Sequence, residues 1–381
     1  MGRVSKRAQP LTGTIGNVPH ARIYRWSDPM QSEQNSRRRF LQTAASVAAA
    51  SSLSALHEPA PAMAEVKDGD PPVAVLSEIC PQHVDLVLRR SRQEHEQVVA
   101  SLKKPGARPL TVAAYQMTNR CGGEAGKKAN LERMLRAIDA AAGKDVQVLA
   151  FPEMCLPGYF TRGEGTPEEA ARANHALADQ AGRSDYLHRL QEAARAVRMV
   201  LAFGFSEQDG RDYYNAIGVI DADGAWLGSR RKNPLSPHPY ETGSFTEPHT
   251  SKRSAVFKTR YVTVGVSNCF DGEFPESIRR MRLDGAELLL WCNAATGNPK
   301  LGHSARINSS GCYAQANRMW VVCCNAVGGS CYGTSVIVGA SGEPLVVLPT
   351  SDEALALATV NLAVTEQWDT WRLRLDPTLR R

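Results

Sequence analysis

From Pro109 onward, short apolar or β-branched runs alternate with longer stretches in which apolar residues recur every three or four positions. Continuous or period-two apolar runs predict strands, and the longer spacing predicts helices that face a core. Leu110–Tyr115 reads as a strand ending at Gln116, and Asn130–Ala142 as a helix with Leu131, Met134, Leu135 and Ile138 on its apolar face. Val146–Phe151 is a second strand, closed by Pro152-Glu153 and the turn Leu156-Pro157-Gly158-Tyr159. Helices over Pro167–Ala178 and Tyr186–Val197 precede strands Met199–Phe205 and Tyr214–Ile220. The turn Asp221–Gly224 sends Ala225–Lys232 back as a hairpin. A loop rich in Pro, Ser, Thr and His follows, from Asn233 to Lys252. The β-branched run Tyr261–Asn268 then meets Cys269-Phe270-Asp271-Gly272, and a helix begins near Pro275 with Ile278, Met281 and Leu283 inward. Strand Glu287–Trp291, a loop from Asn293 to Ile307, a helix near Ser310–Ala316 and strand Met319–Cys324 come next. Ser335–Val338 pairs with Pro344–Leu348, and Leu355–Asn361 is a last strand. Such alternation predicts an α/β architecture without short-period repeats.

The flanks differ in pattern. Residues 65–108 open on Pro71-Pro72, carry a helical stretch from Val84 to Val99 and close at Lys103-Lys104-Pro105-Gly106. They are too few to build a core and read as an arm. The domain proper is expected over 109–364, with a basic, aromatic tail at 365–381 that includes Trp368, Trp371, Arg372 and Arg374.

Composition changes this picture in one place. The chain is 43% hydrophobic and 22% charged, ordinary values for a globular protein. Its +6 net charge is concentrated at the start: residues 1–64 hold eight Lys/Arg against three Asp/Glu, and the remainder carries only about +1. No nucleic-acid partner is expected. Within 1–64, Ser36-Arg37-Arg38-Arg39-Phe40-Leu41-Gln42 precedes an Ala/Ser-rich apolar run to Leu56, and Pro59–Ala64 offers Ala-x-Ala cleavage. This resembles a twin-arginine export signal, which implies a folded, exported product, periplasmic or secreted, with no membrane insertion after processing. The long segment before Ser36 leaves Met30 as an alternative start. The run is too short and too weakly apolar to span a bilayer. Nine cysteines, an odd number without Cys-x-x-Cys or zinc-like spacing, predict neither a disulfide scaffold nor a metal site.

Three reactive side chains close strands far apart in the chain: Glu153, Lys232 and Cys269. Strand ends converge on one edge of an α/β sheet, so the three can meet. A thiolate attacks a carbon multiply bonded to a heteroatom, a carboxylate moves the proton, and an ammonium with a backbone N–H stabilises the developing anion. The backbone N–H groups and helix N-terminus after Cys269 are expected to lower its thiol pKa. A buried structural cysteine is the other reading of that position.

Phe151-Pro152-Glu153, Arg231-Lys232-Asn233-Pro234-Leu235 and Asn268-Cys269-Phe270-Asp271-Gly272-Glu273-Phe274-Pro275-Glu276 resemble, in order, the three signatures of the nitrilase (carbon–nitrogen hydrolase) superfamily. Gln315–Val322, with Asn325 and Gly328, resembles the segment beyond that family's nucleophile. The resemblance implies a four-layer α-β-β-α sandwich with a Glu-Lys-Cys triad and neither cofactor nor metal. Cys269 would form a thioester, Glu153 act as general base and Lys232 stabilise the anion, with the Phe270 N–H in the oxyanion hole. Glu241 matches a second, orienting glutamate; a solvated loop carboxylate is the other reading. Phe270-Asp271 looks like the amidase and carbamoylase branches rather than nitrilases, which tend to carry Trp-Glu there. The expected substrate is therefore a small linear amide or N-carbamoyl compound. A nitrilase, a catalytically inactive binding protein on the same scaffold and a cysteine-rich metal binder are the rivals. Asn268 and Asn293 are candidates to face substrate, and His238, His249, His303 and Arg306 to bind a substrate carboxylate, although loop histidines are more often surface residues. Family likeness also implies a homo-oligomer, with Trp368–Arg381 crossing to a partner.

Overall fold

The computed structural model describes residues 93–118, 121–159, 165–248 and 255–366. The leader, most of the arm, His249 and the tail beyond Glu366 lie outside them. All the described residues belong to one compact unit, Val66–Arg381. No helix among them is long and apolar enough to cross a membrane.

A helix through residues 93–102 (α1) opens the described chain. The first half then runs β1 (Pro109–Gln116), α2 (Gly123–Ala142), β2 (Val148–Ala150), α3 (Pro167–Ala176), α4 (Asp185–Val197), β3 (Val200–Asp209), β4 (Asp212–Ile220), β5 (Trp226–Arg231) and the short α5 (Pro239–Thr242). The second half runs β6 (Val256–Lys258), β7 (Thr263–Asn268), a 3-10 turn (Cys269–Glu273), α6 (Pro275–Leu283), β8 (Leu288–Asn293), α7 (Pro299–Asn317) and β9 (Trp320–Asn325). It ends with β10 (Val327–Gly328), β11 (Cys331–Tyr332), β12 (Val336–Val338), β13 (Pro344–Val347), β14 (Ala354–Asn361) and α8 (Ala363–Glu366).

Two six-stranded mixed sheets result, ordered β14-β1-β2-β3-β4-β5 and β13-β12-β9-β8-β7-β6. Each has three parallel strands at its centre, β1-β2-β3 and β7-β8-β9, joined through helices, with antiparallel partners outside. The parallel strands are buried on both faces. Their alternate residues Val112, Val148, Val200, Val264, Val266, Leu288, Leu290 and Val322 form the core between the sheets. The opposite residues of the first sheet, Leu149, Leu201 and Phe203, pack on α2 and α4 through Leu131, Met134, Ile138, Leu187 and Leu190. Leu289, Trp291 and Val321 pack on α6 and α7 through Ile278, Met281 and Ala314. The fold is thus the four-layer α-β-β-α sandwich. Double-sided burial explains why these strands read as continuous apolar runs.

Two expected boundaries are corrected. α2 begins at Gly123, well before Asn130, because its first turns are too polar to show an apolar face. Lys127 there is buried by pairing with Asp179 at 2.8 Å, not by apolarity. The loop expected over Asn293–Ile307 already contains the start of α7 at Pro299. Gly302 and Gly311 break that helix's pattern because it packs closely: a Cβ on Gly302 would meet the Tyr332 ring at 2.5 Å.

Candidate active site

Four chain reversals at the carboxyl ends of strands build the site, and they come from both sheets. After β2, Gly204 on β3 donates its N–H to the Pro152 carbonyl at 3.0 Å and accepts from the Leu156 N–H at 3.1 Å. The Glu153–Met154 peptide therefore lies directly over β3, where any Cβ on Gly204 would overlap the Met154 nitrogen. This crossing, with Met154 at φ 50°, turns the Glu153 side chain into the interior, where it is fully buried.

Glu153 Oε1 accepts from Lys232 Nζ at 2.7 Å and from Asn215 Nδ2 at 2.7 Å, and Oε2 accepts from the Ala294 N–H at 3.0 Å. Lys232 stands just past β5, its N–H bonded to the Asn215 carbonyl at 2.8 Å. Its ammonium also donates to Glu241 Oε2 at 2.9 Å. Glu241, on α5, is buried as well and accepts from Asn215 Nδ2 at 2.8 Å and the Ser236 N–H at 3.1 Å. One ammonium thus lies between two carboxylates, with Asn215 tying both together. Burial works against the Lys232 charge, yet Glu153 and the other anionic neighbours hold its pKa well above the usual range. Burial raises the Glu241 pKa despite the pull of Lys232.

Cys269 follows β7 on the other sheet. Its φ of 48° is a left-handed conformation rare for a side-chain-bearing residue. Such strain persists only where the surroundings over-determine it. Asp271 supplies much of that constraint. It is fully buried, accepts from Ser267 Oγ at 2.7 Å and the Asn268 N–H at 2.6 Å, and pairs with Arg230 at 3.1 Å. Trp291 Nε1 holds the Cys269 carbonyl at 2.9 Å, and Gly272 must lack a Cβ to fit beneath the same indole. The residue as a whole stays partly open to solvent.

The expected thiol acidity is overturned. α6 starts only at Pro275, and a 3-10 turn separates it from the thiol. Burial first, and then the Glu153 carboxylate, push the Cys269 pKa well above its ordinary value; Lys232, Arg306 and the Ala294 amide pull it down by less. The resting sulfur therefore favours its protonated form. Alkylation of Cys269 in the substrate-free protein should accordingly keep accelerating from pH 7 past pH 9, because thiolate is gained throughout that range. A plateau below pH 8, read by peptide mass, would contradict this.

The structure thus brings Glu153, Lys232, Glu241 and Cys269 into one charge-coupled cluster. The Phe270 ring sits edge-on against Phe274 beside it. Asn268 does not face outward: its amide donates to Asn215 Oδ1 at 2.9 Å. Asn293 is fully buried and donates to the Trp291 carbonyl at 2.8 Å, while the next residue, Ala294, reaches Glu153. His238 is exposed and caps α5. His303 and Arg306 lie on α7 rather than in a loop, and burial lowers the His303 pKa, keeping the ring neutral. Along the sequence, Asp271 is placed in the cysteine motif and Tyr159 in a turn without either receiving a part in the chemistry, and Asn215 and the Ala294 amide are passed over; Asn215 left a signal, as a lone amide in an otherwise apolar strand. Tyr159 lies within the charge cluster; burial and then Glu241 and Glu153 keep its phenol protonated. No group of three or more His, Cys, Asp or Glu among the described residues is placed to hold a metal ion.

The family pattern described as carbon-nitrogen hydrolase matches residues 111–370. The chain belongs to the carbon-nitrogen hydrolase family. It is similar to the N-carbamoylputrescine amidase of Solanum tuberosum, 29% identical over 274 residues that cover 67% of this chain and 87% of that protein. The citrullinase of Francisella tularensis subsp. tularensis is 29% identical over 255 residues, 62% of this chain and 85% of that one. Among solved structures, an amidase from Nesterenkonia sp. AN1 shares the fold at a TM-score of 0.57 and 22% identity, covering 71% of this chain and 97% of its own. A Glu-to-Gln mutant of that amidase, which is from the nitrilase superfamily, was captured with the acetamide moiety of fluoroacetamide covalently added at the active-site cysteine.

Proposed function

We propose that this carbon-nitrogen hydrolase cleaves linear amides or N-carbamoyl compounds through a thioester on Cys269. The reading rests on one observation: a buried ammonium held between Glu153 and Glu241, in the same charge cluster as a cysteine on a strained turn. A neutral thiol is a poor nucleophile and needs a base at the moment of attack. In this proposal the Cys269 sulfur bonds to the carbonyl carbon as its proton passes to Glu153. The carbonyl electrons move to oxygen, facing Lys232 and a backbone amide. The C–N bond then breaks, and the nitrogen takes the proton from Glu153 and leaves as ammonia or an amine. Water attacks the thioester, gives a proton to Glu153 and displaces the thiolate, which recovers that proton. Positioned proton transfer contributes roughly 10²–10⁴-fold to such a reaction, and each well-aimed oxyanion donor about 10²–10³-fold.

The potato relative's name specifies a carbamoyl group, and the Nesterenkonia amidase takes an acetamide moiety at its cysteine; both support the amide and carbamoyl branch over nitriles. The test is intact-protein mass after rapid mixing with a primary amide, an N-carbamoyl amine and a nitrile of matched carbon skeleton. The expected result is a transient acyl adduct on Cys269 from the first two, with one ammonia per turnover of the primary amide, and one amine followed by carbon dioxide and ammonia per turnover of the N-carbamoyl amine. An adduct from the nitrile alone would make the protein a nitrilase, and no adduct from any would leave only the inactive scaffold.

A further inference from the structure

Arg306 is the one charged side chain of the cluster for which the proposed reaction finds no use. It is almost fully enclosed, with 8% of its side chain exposed. Its guanidinium lies over the Trp291 ring, Cζ 4.2 Å from the centroid, and Trp291 in turn holds the Cys269 carbonyl. One indole therefore separates Arg306 from the nucleophile turn, and its charge acts on the Cys269 sulfur. Nη2 donates to Tyr332 Oη at 3.3 Å. Nε and Nη1 have no hydrogen-bond partner, although Nη1 lies 3.3 Å from Glu273 Oε1.

A guanidinium cannot shed its charge in a protein, so burying it with unmatched N–H groups is costly. Stacking on Trp291 offsets part of this, but a stacked ring accepts nothing in the guanidinium plane. Glu273 is 46% exposed and can turn to water. Tyr332 accepts from Arg306 and keeps its own hydroxyl proton to donate. One turn earlier on the same helix, His303 Nε2 is also buried without a partner. A flat fork of in-plane donors matches a carboxylate better than any neutral or cationic group.

We propose that Arg306 is a specificity-determining residue that binds a carboxylate on the substrate, so that the preferred substrate carries a negative charge a short span from the scissile carbon–nitrogen bond. This rests on the amide or carbamoyl reading above and narrows it: N-carbamoyl amino acids or half-amides of dicarboxylic acids, rather than the carbamoyl derivative of a diamine. Glu273 yields its place at the guanidinium when the substrate enters.

The experiment compares an N-carbamoyl amino acid, a neutral alkylurea and an N-carbamoyl diamine of equal chain length on the full protein. The wild type should favour the carboxylate over the neutral compound by at least about tenfold in kcat/KM. Arg306→Met should bring that ratio to near unity, chiefly through KM, and Arg306→Lys should restore part of it. Met fills a similar volume without a buried charge, so the unfolding midpoint should not fall. A preference that survives Arg306→Met, or a wild type that favours the neutral or cationic compound, would overturn the inference. Calorimetry with Cys269→Ala separates this from the chemistry: the carboxylate compound should bind it, and bind the Cys269→Ala/Arg306→Met double variant at least about tenfold more weakly. Equal or absent binding to both sinks the carboxylate site. Acylation of Cys269 by amides without any charge preference leaves the hydrolase reading standing while this one fails. Absence of acylation by every amide removes the hydrolase reading, whatever the calorimetry returns.

Discussion

Cys269→Ala is expected to abolish turnover, with kcat falling on the order of 10⁴-fold or more, as for loss of a covalent nucleophile elsewhere. The proposed mechanism leaves no substitute. A water in place of the sulfur would have to attack the amide directly, with no covalent intermediate to split the step in two. The fold should survive. Alanine adopts the same positive φ as cysteine at similar cost, and the turn is held by Asp271, Ser267 and Trp291 rather than by the thiol. Urea midpoints within about 1 kcal/mol of wild type are expected, since the site loses one small buried group. A residual rate within tenfold of wild type in the folded variant would remove Cys269 from the mechanism.

Lys232→Met should damage both activity and stability. It leaves Glu153 and Glu241 buried, held together by Asn215, with no cation between them. Removing one partner of a buried charge cluster costs about 3–5 kcal/mol, a large share of a total of roughly 5–15 kcal/mol. Without the ammonium the pull that lowers the Glu241 pKa is lost, so this carboxyl, already raised by burial with the lysine present, rises further and escapes the charge by protonation. The sign follows. A carboxyl whose folded pKa lies above its unfolded value contributes fully below the unfolded value, near 4.3, and loses that contribution as pH rises through the folded one. The deficit should therefore be small at pH 5 and large at pH 8 by urea titration. The developing oxyanion also loses its ammonium, so the rate should fall at least about 10³-fold. Lys232→Met/Glu241→Gln should regain stability but not rate. An equal deficit at both pH values would mean that the ammonium does not hold the charges as described.

The apolar runs announced the strands because double-sided burial leaves little room for polar residues, and the three reactive strand ends stood out against them. The first half of α7 was hidden for the converse reason: its inward residues are Gly302, His303, Arg306 and Ser310 rather than apolar side chains, whereas Tyr313 and Ala314 of the second half join the core. The first turns of α2 were hidden by a buried ion pair that only Asp179, far along the chain, explains.

Local chemistry along the sequence settled the alternation of strands and helices, the α/β class and the candidacy of Glu153, Lys232 and Cys269, because each follows from neighbours within a few residues; Glu241 entered only through the family resemblance. The stacking of two sheets decided the rest. It brought the Ala294 amide of one sheet to the Glu153 carboxylate of the other, made Asn215 the tie between two glutamates, raised the Cys269 pKa by burial and enclosed Arg306 behind Trp291. Burial and hydrogen-bond direction depend on atoms brought together from distant parts of the chain, and no spacing along it encodes them.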